Sequence, residues 1–271
     1  MVGWIAVHFT PLAVCALLAI LPLSFAPGSV AESSPAEADV FRVRISAWGD
    51  HGPDPGRFNY PWQIAADAQG YVYVGDAISH RVQKFTQAGQ FATSWGSWGS
   101  APGQFWRPYG VAVDHGGAVY VADTHNNRIQ RFRFDGTLPG LWGHEGQGDG
   151  EFNGPYMLAV GSDGLLYVSD TYNRRVQVFT TSGDFVRFWR VCRGEPRRFR
   201  RPRGIAVDHS RRVYVSNVDL NRIEVFDTDG ALLEVLGEYG REVGQFHWPA
   251  QYRLGSVLFW PAAGESGRIS G

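Results

Sequence analysis

The chain has 271 residues, 44% of them apolar and 14% aromatic, and a formal net charge of -1. That length and apolar content support one large domain with a substantial core, and the balanced charge gives no overall pull toward nucleic acid or anionic lipid. Lys84 is the single lysine, so nearly all positive charge is arginine.

Residues 1–31 hold no Lys, Arg, Asp or Glu, and residues 11–26 form a nearly continuous apolar run. The small residues Ser29, Val30 and Ala31 follow. The pattern predicts a secretory signal peptide, with an uncleaved membrane anchor over 4–26 as the alternative. The expected location is extracytoplasmic: secreted, periplasmic or anchored. Cys15 falls in this segment, which leaves Cys192 alone. The mature chain then has no internal disulfide and no Cys-based zinc site. Residues 32–40 read as a polar linker.

From residue 41 onward a 47-residue period governs the sequence. Pro61, Pro108, Pro155, Pro202 and Pro249 keep that step, as do Phe58, Phe105, Phe152, Phe199 and Phe246. Asp76, Asp123, Asp170 and Asn217 keep it, with Arg81, Arg128, Arg175 and Arg222 five residues on. Trp48, Trp95, Trp142, Trp189 and Leu236 complete the set. Each period reads as four short strands, for example near 110–114, 119–122, 128–132 and 141–142, with Asp and Gly supplying the turns. Four strands per period predict an all-β fold, a β-propeller of four-stranded blades.

The repeats fall near 58–95, 105–142, 152–189 and 199–236, with a partial fifth over 246–271. The domain is therefore expected over 41–271, with four complete blades and a partial fifth. Residues 41–48 match a fourth strand with no blade before it, and are expected to complete the last one. The fifth repeat loses its pattern after Pro249, so the propeller is expected to be truncated or imperfectly closed. An open arc would leave a bare sheet edge for self-association.

The run Gly-Gln-Phe-x-x-Pro, then Val-Ala-Val-Asp, then Val-Tyr-Val-x-Asp-x-x-Asn-x-Arg-Ile-Gln-x-Phe, which stands at residues 103–132, resembles the NHL repeat. The resemblance implies a propeller, most often of six blades. The ubiquitin-ligase relatives carry a separate Cys/His zinc module, which this chain lacks. Amidating lyases of similar fold bind zinc through three histidines, two of them after the blade proline. Here those slots hold Trp62, Tyr109, Tyr156, Arg203 and Ala250, and only His80 comes near a ligand position.

In a propeller the residue after each blade proline faces the channel mouth. The ligand site is therefore expected at Trp62, Tyr109, Tyr156 and Arg203, joined by His80, His125 and Tyr172 from the loops between second and third strands. Aromatic rings beside an arginine suit a sugar, a base or an aromatic side chain. The Asp and Arg columns recur in every blade and read as scaffold. Residues 187–212 hold ten arginines against Glu195 and Asp208, a segment that RNA-binding relatives would use. The reading is a non-enzymatic binding protein for a protein, peptide or glycan, without cofactor, metal or catalytic residues. The alternatives are a propeller lyase or hydrolase, disfavoured by the missing metal-ligand set, and nucleic-acid binding through 187–212. Nucleic acid is not the expected partner outside the cytoplasm, and a membrane is expected only through an uncleaved N-terminal segment.

Overall fold

The computed structural model describes residues 48–190 and 201–247, Pro249, and short strands at 5–7, 45–47, 252–253 and 258–259. The expected linker, Cys192, Phe199, Ala250 and most of the expected leader lie outside them. Two compact units are present, Met1–Trp48 and Gly49–Gly271. In the first, β1 (Ile5–Val7) pairs antiparallel with β2 (Ile45–Ala47). Residues 45–47 of the segment expected to complete the last blade are thus paired within the first unit.

The second unit holds four four-stranded antiparallel sheets, each a meander in chain order. Blade A is β3 (Pro61–Ala66), β4 (Val72–Asp76), β5 (Arg81–Phe85) and β6 (Phe91–Trp95). Blade B is β7 (Pro108–Val113), β8 (Val119–Asp123), β9 (Arg128–Phe132) and β10 (Gly140–Trp142). Blade C is β11 (Pro155–Val160), β12 (Leu165–Asp170), β13 (Arg175–Thr180) and β14 (Phe185–Trp189). Blade D is β15 (Pro202–Val207), β16 (Val213–Asn217), β17 (Arg222–Phe226) and β18 (Leu232–Leu236). Beyond it, β19 (Tyr252–Arg253) pairs with β20 (Leu258–Phe259). The fold is a β-propeller.

The blades pack side by side through their first strands, β3 on β7, β7 on β11 and β11 on β15. Each sheet is apolar on both faces, so no blade can bury itself alone. One core joins blades A and B through Tyr73, Phe105, Val111 and Phe132, and the next joins B and C through Tyr120, Ile129, Phe152 and Phe179. The repeated tryptophan is the wedge between blades. Trp95 contacts Tyr73 of its own blade and Phe132 of the next, and Trp142 and Trp189 repeat this with Tyr120/Phe179 and Tyr167/Phe226. The turn glycine of the following blade, Gly136, Gly183 or Gly230, lies over that indole with a positive φ. A side chain there would collide with the ring and strain the backbone.

Each first strand is irregular just after its proline. Proline cannot donate to the ladder, so the register slips there and the next side chain is re-aimed. That local defect sets up the channel mouth.

Candidate functional site at the channel mouth

Two loops of each blade meet at this end, and backbone bonds stitch them together. The Ala77 and Ile78 amides donate to the Tyr60 and Asn59 carbonyls, the His125 amide to Trp106, and the Thr171 and Tyr172 amides to Gly154 and Asn153. The stitching holds because of the buried aspartate in each blade. Asp170 accepts from the Asn153 amide at 2.8 Å, the Arg175 Nε at 2.7 Å, the Asn173 amide group at 2.9 Å and the Gln177 amide group at 3.0 Å. Asp76 and Asp123 are held in the same way. Burial pushes these carboxyls above their ordinary 3.8, while the backbone and guanidinium donors pull the other way. Each arginine then turns its remaining donors to the carbonyls of the inter-blade loop: Arg175 reaches Gln147, Gly148 and Glu151. The Asp and Arg columns are scaffold, as their recurrence implied.

Blade D solves the same problem with the charge moved. Asn217 stands in the Asp column, and Glu224 replaces the glutamine of the other blades. Glu224 is buried and takes the Arg222 guanidinium. Each of the four blades keeps one buried carboxylate facing one arginine.

The four post-proline residues converge. Trp62 and Tyr109 lie 4.9 Å apart between ring centroids, as do Tyr109 and Tyr156, and Trp62 meets Tyr156 edge-on at 6.1 Å. The Arg203 guanidinium sits 5.0 Å from the Tyr156 ring and 5.8 Å from Trp62. Tyr109 and Tyr156 are only 7% and 6% exposed. These side chains therefore pack on one another in the mouth, the two tyrosines buried and Trp62 and Arg203 partly exposed. Beneath them Gln63 closes the axis. Its amide group donates to the Leu158 carbonyl at 2.8 Å, and its oxygen accepts from the Val111 and Leu158 amides.

A second layer of aromatics stands on this plug and faces outward. Tyr172 is 54% exposed, its ring 6.1 Å from Tyr156, with the two hydroxyls 3.4 Å apart. Tyr60 is 55% exposed beside Trp62, and Trp106 is 46% exposed against His125. His125 also contacts Tyr109 edge-on. Tyr60, Trp106 and Arg107 escape the sequence reading because they precede the proline, where the repeat suggests a mere connector. The available signal was their variation: the position before the proline is Tyr60, Arg107 and Gly154, and the one before that is Trp106 between two asparagines, while the flanking Phe and Pro do not change.

Arg107 donates to the Tyr109 hydroxyl, and Arg201 is paired with Asp219 at 2.7 Å. Among the described residues neither Arg107 nor Arg203 faces a carboxylate within ion-pair distance, and the Arg203 Nε is buried without a hydrogen-bond partner. The mouth is thus cationic as well as aromatic.

His80, one of the expected ligand residues, makes a hydrogen bond within the fold. Its Nδ1 accepts from the Arg107 amide at 3.1 Å, as the Asn127 side chain does from the Gly154 amide at 2.8 Å in the next blade. Both residues carry positive φ and tie one blade to the next. Burial, then the nearby Arg107, pushes the His80 pKa below its ordinary 6.5, and burial does the same at His125. The neutral ring is the one that can accept. Because the folded pKa is depressed, this contribution is fully present above 6.5 and is lost as pH falls through the folded value. His80→Asn keeps the acceptor without the titration. Thermal melts between pH 7.5 and 5 are expected to fall less steeply for that variant than for wild type, and parallel slopes would contradict the role.

Residues 58–85, 105–132 and 152–179 match the NHL repeat family. The chain carries NHL repeats. The fourth blade of this NHL propeller lies outside that match, and it is the blade with Asn217 and Glu224 in place of Asp and Gln. A comparison with curated proteins finds no match. Solved structures share the fold. A catalytically inactive variant of virginiamycin B lyase from Staphylococcus aureus, with quinupristin, superposes at TM-score 0.54 and 18% identity, over 72% of this chain and 60% of that one. A streptogramin B lyase gives 0.56 at 17% identity, over 78% and 63%. A nidogen/laminin complex gives 0.53 at 14% identity, over 73% and 69%. The NHL chain spans about six-tenths of the length of the lyases. Among the described residues no group of three or more His, Cys, Asp or Glu is placed to hold a metal, and no helix is long and apolar enough to cross a membrane.

Proposed function

We propose that the chain is a binding module that takes its ligand on the channel-mouth face. The observation that carries this is the outward aromatic layer: Tyr60, Trp106 and Tyr172 are large, half-exposed and set on a rigid, packed base. Exposed rings held this way present contact area with little left to order on binding. Likeness to a nidogen/laminin complex is compatible with such a role. The lyase likeness is equally close in fold, but no observation at this mouth favours bond cleavage over binding.

The outward layer is also the place to test the proposal. Trp62 and Tyr156 belong to the core, so truncating them removes stability together with any site. Trp106→Ala with Tyr172→Ala removes exposed rings instead, and the melting temperature is expected to stay within about 0.5 kcal/mol equivalent per site. Peptide and glycan arrays probed with both proteins should show wild-type capture that the double variant loses at least tenfold. Equal capture by the two proteins would overturn the reading.

A further inference from the structure

The chemistry of the mouth narrows the ligand, on the assumption that the binding reading above is right. We propose that the face binds an acidic glycan, a polymer of sugar rings bearing carboxylates.

Three observations lead there. First, the mouth is packed. Trp62, Tyr109, Tyr156 and Arg203 pack on one another, which favours a ligand that lies across the surface they form. A pyranose suits that surface, because its C–H face stacks on the electron-rich face of an aromatic ring without being enclosed. Second, the backbone of the mouth is already committed. The Tyr60, Trp106 and Gly154 carbonyls accept from the neighbouring loop, Pro61 and Pro155 follow two of them with no N–H to offer, and the Arg107 N–H after the third is taken by His80. An extended peptide would need free backbone partners for its own amides, as in strand addition, and these carbonyls are taken. A sugar polymer makes no such demand. Third, the mouth holds positive charge without its complement. Arg203 lies over two rings with its Nε buried and unpartnered, and Arg107 faces a tyrosine hydroxyl rather than an acid. Guanidinium groups match carboxylates in a planar, two-pronged geometry.

Affinity electrophoresis can separate the two contributions, ring and charge. The full chain would be run through gels containing polygalacturonate, dextran or polyglutamate at equal mass. Polygalacturonate carries both features, dextran only the neutral rings, and polyglutamate only the carboxylates on a peptide chain. Retardation by polygalacturonate is expected at least tenfold stronger than by either control. It should weaken with salt and fall at least tenfold in Trp106→Ala and in Arg107→Gln, whose side chains lie outside the packed plug. Polyglutamate binding as strong as polygalacturonate would assign the site to acidic peptide instead. Equal retardation by dextran would remove the arginines from the account. Absence of polygalacturonate binding would overturn the proposal outright. If the arrays nonetheless show capture that depends on Trp106 and Tyr172, the binding reading stands and only its ligand class falls. If neither assay shows capture dependent on the mouth, both fall.

Discussion

Asp170→Ala is expected to cost about 3–5 kcal/mol, which is a large share of the roughly 5–15 kcal/mol that holds a domain folded. The arginine left behind cannot reach water. Arg175 is 0% exposed, its Nε points at the missing carboxylate, and its other nitrogens are fixed to three loop carbonyls. The Asn153 amide and the Asn173 side chain lose an acceptor in the same step. Urea denaturation should show the midpoint falling sharply, with loss of soluble protein at growth temperature. Blade D supplies the matching rescue. It carries Asn217 with Glu224, so the double change Asp170→Asn with Gln177→Glu transplants its arrangement into blade C. The negative charge returns to the same pocket, one strand away. Recovery of at least about 2 kcal/mol relative to Asp170→Ala is expected, since neighbours that share one pocket couple by amounts of this order. If the double variant is no more stable than Asp170→Ala, charge balance is not what the two columns conserve.

Trp189→Ala is expected to cost a similar ~3–5 kcal/mol, for a different reason. The indole is the wedge between blades C and D, touching Tyr167 on one side and Phe226 on the other under the Gly230 turn. Its removal opens a void at an interface that cannot collapse without shifting a whole sheet. Trp189→Phe should cost less than about 1.5 kcal/mol. The ring is kept, and the Nε1 hydrogen that is lost has no partner in the fold. Calorimetry of the two variants gives the comparison directly. A phenylalanine variant as damaged as the alanine one would show that shape alone does not explain the column.

The blade pattern was legible because propeller blades repeat their solution. Pro, Asp, Arg and Trp recur at one spacing, and each recurrence marks a rung, a buried charge pair or a wedge. The convergence of Trp62, Tyr109, Tyr156 and Arg203 also followed from the period, since equivalent positions on stacked blades meet at the axis. Their packing did not follow. Whether four large side chains form a cup or a plug depends on how closely the first strands approach, and no single repeat encodes that distance. It is set by Gly110, where a Cβ would meet the Tyr156 carbonyl at 2.5 Å, and by Gln63 reaching from blade A to blade C. The partner of Ile45–Ala47 was hidden for a related reason. A short apolar strand states its need for an edge but not which edge, and Ile5–Val7 lay inside a run whose composition reads as a leader.

Gln63 also bears on how the molecule comes apart. In a stack where each unit touches only its neighbours, stability is a sum of local terms and the array can unzip from an end. Gln63 breaks that rule by bonding Leu158, 95 residues away, across the intervening blade. Blades A, B and C are thereby fastened together and are expected to melt as one cooperative body. Among the described residues blade D makes no such bond: the Ser169 and Thr171 hydroxyls tie it to blade C through the Arg203 and Pro202 carbonyls, and it reaches blade A only through the Arg203 guanidinium over Trp62. Its amides should exchange with solvent first, so the propeller has a firm block and a looser flank rather than four equal quarters.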